Sequence, residues 1–466
     1  MVFDSIGEDR IAHVTELEFE DNLRTPISSV FCKQPCDQRE RATCLHAEQP
    51  YARGVAELRG PPWMNRPTPS TWSTTGPGTA RRYPQRVHAG DTLTYLDHAA
   101  TTPMRPEAVE AMLPFLTERF ANPSGSHRFA RSIRQVIDES RDIVADVIGC
   151  EPGEVIFTGC GTESDNAAIV GTLQRHGGVA VCSAAEHHAV LHAVEHGGGR
   201  IVAVDGAGRI DLDALAASLD DDVSIVSAMA VNNEVGSINP LADVAAAVRA
   251  RAPRAVVHTD AVQAVCWIDL RTLTPHVQLM ALSAHKFGGP KGVGVLMARN
   301  GTVLDPLLQG GGQERDRRSG THNVAGIVAM TEALRLTDIE RVAENLRLTK
   351  LRNRLVDCLM AQLDDVIETV PRDAKIAGSA HVCFGGIESE ALLFMLDEAG
   401  VCASAASACA SGAMEPSHVL AAMGVDKRYA LGALRLTLGQ TTTEADVDRA
   451  IHVLLDAVTR LRGAAR

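Results

Sequence analysis

The segment LSAHKFGGPKG, residues 282–292, ends an apolar run and begins a glycine-rich turn. Lys286 follows the apolar run directly, where the end of a strand can present an amine to a ligand. A lysine in this position can hold a carbonyl compound as an imine. The segment therefore predicts a strand end that carries a lysine for covalent attachment of a cofactor aldehyde.

A carboxylate that suits this lysine lies 26 residues earlier. The stretch HTDAVQ, residues 258–263, places Asp260 at the carboxyl end of another apolar run. Pyridoxal phosphate enzymes use both groups, a lysine that binds the aldehyde and a carboxylate that keeps the ring nitrogen protonated. A helix cap is the alternative role for Asp260.

Composition bounds the class of protein. The chain has 466 residues, of which 45% are hydrophobic and 22% charged, as in soluble globular proteins with a well-buried core. Its formal charge of −13 disfavours a surface for duplex nucleic acid. No apolar stretch approaches the roughly 20 residues of a membrane span, and the N-terminus lacks the order of a secretory signal. The 11 cysteines are scattered, so we expect reduced thiols in the cytoplasm.

The sequence predicts three regions. Residues 1–92 are rich in Pro, Gly, Ser and Thr towards their end and read as a disordered leader or linker. A metal site drawn from Cys32, Cys36, Cys44 and His46 is an alternative there, although its spacing fits no strong zinc pattern. Residues 108–340 should form a large cofactor-binding domain, and residues 93–107 with 341–466 a smaller α+β domain.

The large region predicts an α/β fold with a mostly parallel sheet between helices. Short β-branched runs alternate with helical patterns, and ligands in such folds bind at the carboxyl ends of the strands. The predicted strands are residues 155–158, 179–183, 201–204, 223–229, 255–259, 279–283 and 293–297. In the smaller region, strands at 381–384 and 434–438 lie between amphipathic helices. Thr441 and Glu444 have the spacing of a capping box for the last helix.

Four residues could hold a phosphate beside the lysine. Gly161 and Thr162 lie where a strand turns into a helix, and glycine lets backbone N–H groups approach an anion at a helix N-terminus. Ser283 and His285 precede Lys286 by three residues and one residue. A tight strand-to-helix turn without a ligand is the alternative reading of the first pair.

Three further residues could contact the ring of the cofactor. Gln263 follows Asp260 by three residues, and its amide could donate to the phenolic oxygen. His187 ends a strand motif, where a flat imidazole could stack on the pyridine. Asn233, in the turn NNEVG at 232–236, would supply another amide, unless this is an ordinary Asn-rich turn.

A second reactive group lies in the stretch ASAASACASGA, residues 403–413, which contains no large side chain. Cys409 is its only strong nucleophile, and a thiol of pKa about 8.5 is partly ionised near neutrality. A small packed loop with an inert cysteine is the alternative. Arg435, within the apolar run LRLTL at 434–438, needs a partner, either the carboxylate of an amino acid substrate or a structural ion pair.

Residues from about 95 to 462 resemble the cysteine desulfurases of the class V aminotransferases, fold type I of the pyridoxal phosphate enzymes. The resemblance is carried by LDHAATTP (96–103), NPS (122–124), GTESDN (161–166), EH (186–187), NNE (232–234), DAVQ (260–263), SAHK (283–286), GGGQE (310–314), RSGT (318–321), SAC (407–409) and EPS (415–417). Ala405 and Ala406 depart from a common Ser-Gly pair, and residues 1–92 have no recognised counterpart.

The resemblance implies the cofactor pyridoxal 5'-phosphate and a role for each predicted site residue. Lys286, Asp260, Gln263, Asn233 and His187 would contact the ring, and Gly161, Thr162, Ser283 and His285 the phosphate. Thr321 would reach the phosphate from the neighbouring subunit of a homodimer. Cys409 would accept sulfur as a persulfide, and Arg435, with Asn233, would hold the carboxylate of cysteine.

The expected activity is conversion of L-cysteine to L-alanine, with sulfur passed to an acceptor protein. Lys286 or His187 would remove the α-proton. An iron–sulfur scaffold and a tRNA-thiolation enzyme are both possible acceptors. Selenocysteine lyase, a related β-lyase and a non-catalytic sulfur-handling scaffold stay open as alternatives. Arg315, Arg317 and Arg318 are interrupted by acids and indicate a solvated or intersubunit loop, not a nucleic-acid site.

Overall fold

The computed structural model of the chain describes residues 93–405 and 417–464. The predicted leader at 1–92 and Cys409 lie outside the described residues. The twelve strands of the described part are β1 Thr94–Tyr95, β2 Val155–Thr158, β3 Val179–Ser183, β4 Arg200–Val202, β5 Val223–Ser227, β6 Val256–Asp260, β7 Leu279–Ser283, β8 Gly294–Ala298, β9 Val366–Glu368, β10 Ser379–Phe384, β11 Val401–Cys402 and β12 Ala433–Thr437.

The helices carry the longer stretches of the chain. They are α1 Pro106–Thr117, α2 Arg128–Ile148, α3 Gly161–His176, α4 His188–His196, α5 Leu212–Ser218, α6 Leu241–Arg251, α7 Leu270–Leu273, α8 Val324–Gln362, α9 Ser389–Glu398, α10 His418–Ala422, α11 Lys427–Ala430 and α12 Glu444–Ala464. Single 3₁₀ turns cover Pro152–Glu154, Thr274–His276, Ala284–Lys286 and Gln313–Asp316. No helix among residues 93–405 and 417–464 is long and apolar enough to cross a membrane.

A seven-stranded sheet in the order β2-β8-β7-β6-β5-β3-β4 confirms the predicted α/β fold. Its strands β4, β3, β5, β6 and β7 pair in parallel, as expected where helices connect them. Only β8 runs antiparallel to its neighbours β7 and β2. The connection from β7 to β8 spans residues 284–293 and holds one 3₁₀ turn, which is too short for a helical crossover.

Two smaller sheets form around the carboxyl-terminal part of the chain. Strands β12, β10 and β9 pair antiparallel, and β1 pairs with β11 in parallel. The predicted strands at 381–384 and 434–438 correspond to β10 and β12. The last helix is capped two residues later than predicted: Thr443 and Asp446 exchange backbone and side-chain hydrogen bonds in place of Thr441 and Glu444. Helix α12 therefore begins at Glu444.

Helix α8 belongs to both cores, because it continues through the predicted boundary at residue 340. Its first half, with Ile327 and Met330, packs in the core of the large sheet. Its second half presents Leu348, Leu355 and Leu359 to the core that β10 and β12 share with α12. Burial of each leucine contributes roughly 2 kcal/mol to folding. The division of the chain into two domains stays a prediction.

Candidate active site

Several of the predicted site residues lie at one edge of the seven-stranded sheet. Strand β6 ends at Asp260, and β7 ends at Ser283, three residues before Lys286. His187 follows β3, and Asn233 follows β5. Because these four strands are parallel, their carboxyl ends share the same edge, which is where ligands bind in folds of this kind.

Lys286 is held against the chain segment that precedes α1. Its Nζ donates to the carbonyl oxygens of Ala99 at 2.5 Å and Ala100 at 2.9 Å. Gln263 Nε2 donates to the same Ala99 oxygen at 2.7 Å, which places the predicted ring-contacting amide beside the lysine. Burial, and then the positive charge of Arg435, lowers the pKa of Lys286 to about 8, although Asp260 opposes the shift. An amine with this pKa is partly neutral near pH 7 and can act as a nucleophile.

Asp260 is a buried carboxyl group at the end of β6. It is 4% exposed, and its Oδ1 accepts a hydrogen bond from the Val262 backbone N–H at 2.8 Å. Burial raises the pKa of Asp260, while the neighbouring His187 and Lys286 oppose the rise. Asp260 is not a helix cap, because the next α-helix, α7, begins only at Leu270. A cationic group bound beside Asp260 would favour its ionised form.

The predicted phosphate side is built around Gly161, the first residue of α3. A Cβ atom at this position would lie 2.8 Å from Val262 Cγ2 and 3.3 Å from Ser283 Cβ. The first turn of α3 can therefore pack this closely against Val262 and Ser283 only because residue 161 is glycine. Thr162 is the next residue of the helix, and His285 Nδ1 lies 3.2 Å from Thr101 Oγ1.

His187 and Asn233 reach the site from adjacent strand ends. His187 is the N-cap of α4, and its Nδ1 accepts from the Ala189 backbone N–H at 3.1 Å. Burial lowers the pKa of His187, although Asp260 opposes this. The turn that contains Asn233 is fixed by Asn232, whose Nδ2 donates to Ala185 O at 2.9 Å.

Arg435 already has a protein partner. Its Nη2 lies 2.7 Å from Asp97 Oδ1, and its Nη1 donates to Asn233 O at 3.0 Å. Arg435 is 5% exposed, and its Nε makes no hydrogen bond within the described residues. Arg435 thus forms the structural ion pair that was one of its two predicted roles. Its Nε is the buried donor that a ligand could still use.

Two predicted residues are not brought into this cluster. Thr321 is exposed three residues before α8, and among the described residues it makes no hydrogen bond to the site. Cys409 belongs to residues 406–416, which lie outside the described part of the chain.

A group of buried polar residues at the site was not singled out from the sequence. Asp165, Glu186 and His258 are each at most 1% exposed and lie beside Asp260. Two of them occur in the motifs GTESDN and EH, and His258 precedes Asp260 by two residues. His258 could have been found from the sequence, because residues two apart on a strand lie on the same face as each other.

The residues present fit pyridoxal phosphate. Lys286 offers an amine of lowered pKa, Asp260 a buried acid, and Gly161 the N-terminus of α3, packed closely against Ser283. A lysine and a buried acid at the carboxyl edge of a mostly parallel sheet are the pair that pyridoxal phosphate enzymes use.

Comparison with known proteins agrees with this class. Residues 94–450 match the model of the family "Aminotransferase class-V". An "IscS-like cysteine desulfurase" of Mycobacterium tuberculosis is 45% identical over 389 residues, which are 80% of this chain and 98% of the relative. A "Cysteine desulfurase IscS" of Dictyoglomus turgidum is 43% identical over 79% of this chain and 95% of its own. A solved structure titled "NIFS-LIKE PROTEIN" superposes with a TM-score of 0.74 at 34% identity. The match covers 79% of this chain and 100% of the solved one. The chain belongs to the class-V aminotransferase family and, within it, to the cysteine desulfurases.

Proposed function

We propose that this protein is a cysteine desulfurase that converts L-cysteine to L-alanine and carries the sulfur as a persulfide on Cys409. The observation that carries the proposal is the placement of Lys286, Asp260 and Arg435 around one sheet edge. It combines a nucleophilic amine, a buried acid and a buried guanidinium whose Nε has no partner within the described residues. A substrate with an amino group and a carboxylate matches this set.

The residues that would hold the cofactor divide between its two ends. Lys286 would bind the aldehyde, and Asp260 would keep a proton on the ring nitrogen. Gln263 and Asn233 would contact the ring, and His187 would stack on it. The phosphate would be held by the set Gly161, Thr162, Ser283, His285 and, from the second subunit of a homodimer, Thr321.

Pyridoxal phosphate supplies an electron sink for the substrate α-carbon when it is bound. Arg435 and Asn233 orient the substrate carboxylate. The amine of Lys286, or the imidazole of His187, takes the α-proton. The Cys409 thiolate attacks the substrate sulfur, and the electron pair of the broken C–S bond goes to carbon, which then gains a proton. Cys409 is left as a persulfide, and its outer sulfur passes to the thiol of an acceptor protein.

The acceptor and the cellular setting belong to the proposal. An iron–sulfur scaffold or a tRNA-thiolation enzyme, in the cytoplasm, would receive the sulfur. The seven cysteines that the structure describes are all free thiols, which supports a reducing compartment.

An assay of alanine and sulfide release from cysteine tests the activity on purified protein. Lys286→Ala should abolish both turnover and the absorbance of the imine between lysine and cofactor. Cys409→Ala should keep the absorbance and lose sulfur transfer, while Cys402→Ala serves as the matched control and should behave as wild type. Persulfide formation at the normal rate in Cys409→Ala would refute the assignment. Parallel assays with selenocysteine separate the desulfurase from a selenocysteine lyase.

A further inference from the structure

Three buried carboxyl groups share one small region beneath the site. Asp165 is 1% exposed, Glu186 0% and Asp260 4%. Asp165 lies in the second turn of α3, Glu186 follows β3 and Asp260 ends β6. Three carboxylates in a dry region cannot all be ionised, since like charges and burial both favour the neutral acid.

The local donors differ among the three carboxyl groups. Asp260 accepts from the Val262 N–H, and Glu186 Oε1 accepts from the Met229 N–H at 2.8 Å and from Ser183 Oγ at 3.0 Å. Asp165 Oδ1 is buried without a hydrogen bond inside the described ranges. Glu186 Oε2 also lacks a partner within the described residues, and burial raises the pKa of Glu186 to about 8. Asp165 has less support for a negative charge than Asp260, whose Oδ1 accepts from a backbone N–H.

The groups around Asp165 also favour its protonated form. Burial raises the pKa of Asp165 well above its usual range, and Asp260, Glu186 and the Cys160 thiol raise it further. Burial raises the pKa of Asp260 as well, but the neighbouring His187 and Lys286 oppose that rise.

The Asp165 oxygen that lacks a hydrogen bond within the described residues lies near a ring nitrogen of His258 that also lacks one. Asp165 Oδ1 lies 3.6 Å from His258 Nε2, and this nitrogen also has no partner within the described residues. The other nitrogen, Nδ1, lies 2.8 Å from Ser227 Oγ. Burial lowers the pKa of His258 to about 3, so the ring is neutral and one of its nitrogens is an acceptor. A small rotation of the carboxyl group would close this hydrogen bond.

We propose that Asp165 is a positioning residue that stays protonated, donates a hydrogen bond to His258 Nε2, and so leaves the negative charge on Asp260. His258 then donates from Nδ1 to Ser227 Oγ. In this arrangement Asp165 Oδ1 and both ring nitrogens of His258 have hydrogen-bond partners. An ionised Asp165 would instead repel Asp260 and weaken its hold on the ring nitrogen. This role rests on the proposed function, in which Asp260 faces that nitrogen.

Infrared difference spectroscopy tests the protonation directly, on both apoprotein and cofactor-loaded protein. The wild-type minus Asp165→Asn spectrum should show the C=O band of a protonated carboxyl group at pH 7. Glu186→Gln provides the matched background: it removes a different buried acid, so the spectrum of Glu186→Gln minus that of the double variant with Asp165→Asn should show the same band. Absence of the band from the difference spectrum would overturn the proposal. The apoprotein measurement does not depend on turnover, so it can fail while the desulfurase activity holds, or the reverse.

The affinity of the apoprotein for pyridoxal phosphate tests the positioning role. Asp165→Asn keeps a neutral donor to His258, so its Kd should stay within about threefold of wild type. Asp165→Leu is equally neutral but leaves His258 Nε2 without a donor, and its Kd should rise about tenfold or more. An equal loss in both variants would show that ionised Asp165 is required, and an unchanged Kd in both would show that Asp165 has no positioning role. Either result overturns the proposal.

Discussion

Arg435 Nη2 and Asp97 Oδ1 form an ion pair of 2.7 Å, with side chains that are 7% and 21% exposed. Asp97 lies two residues before Ala99, whose carbonyl oxygen accepts from both Lys286 and Gln263. The segment from residue 97 to 100 therefore contacts the predicted carboxylate-binding arginine and the predicted cofactor lysine together. A change in one of these contacts should affect the other.

Arg435→Lys should raise KM for cysteine about 10- to 100-fold with a smaller change in kcat. Lysine keeps the charge but loses the planar fork that holds a carboxylate at two points, and a hydrogen bond to a charged group contributes about 1.5–3 kcal/mol. Steady-state kinetics measure the effect. Arg354→Lys is the control, since Arg354 forms a half-exposed surface pair with Asp448 and should leave KM unchanged. An unaltered KM in Arg435→Lys would show that Arg435 has only a structural role.

Gly161→Ala should weaken the binding of pyridoxal phosphate about tenfold or more, because its Cβ would lie 2.8 Å from Val262 Cγ2. Fluorescence titration of the apoprotein measures the Kd. Gly206→Ala is the matched control, because a Cβ there meets no atom within 4 Å. Wild-type affinity in Gly161→Ala would place the phosphate elsewhere.

The rate of covalent attachment of the cofactor to Lys286 should rise with pH up to about 8 and then level off. The neutral amine is the nucleophile, and burial followed by the charge of Arg435 lowers the pKa of Lys286 to about 8, so the amine is neutral above that pH. Stopped-flow absorbance of apoprotein mixed with cofactor gives the profile. Arg435→Gln should move the midpoint to higher pH and Arg435→Lys should not. A rate that keeps rising to pH 10 would mean that Lys286 is not perturbed.

Glu314→Gln should lower the free energy of unfolding by about 3–5 kcal/mol, because it leaves Arg141 buried without its counter-charge. Burial alone raises the pKa of Glu314, but hydrogen bonds from His322 and Arg141 outweigh burial and lower it to about 2. The folded pKa is below the unfolded value of 4.5, so this stability is complete above pH 4.5 and lost as the pH falls towards 2. Urea unfolding measures it; in Glu314→Gln the loss of stability between pH 4.5 and 2 should be smaller than in wild type. Equal pH dependence in both proteins would contradict the assignment.

Much of the site was readable from the sequence, because strand ends and their following residues are local features. Asp260 and Lys286 end apolar runs, and parallel strands bring such ends to one edge whatever the details of packing. The strand boundaries shifted by only a residue or two; β6, for example, includes Asp260 as its last residue. The capping box moved from Thr441 to Thr443, since several threonines compete there and only the geometry of the turn selects one.

By itself the sequence determined the α/β sheet, the lysine with its buried acid, and the family, since periodicity and short motifs are properties of neighbouring residues. Only the tertiary structure decided what each side chain faces. It paired Arg435 with Asp97, 338 residues away in the chain, and placed Asp165 against His258 beneath Asp260. Such pairs depend on how helices and strands pack. Burial strengthens the charge interactions and hydrogen bonds that result, because the protein interior screens them less than water does.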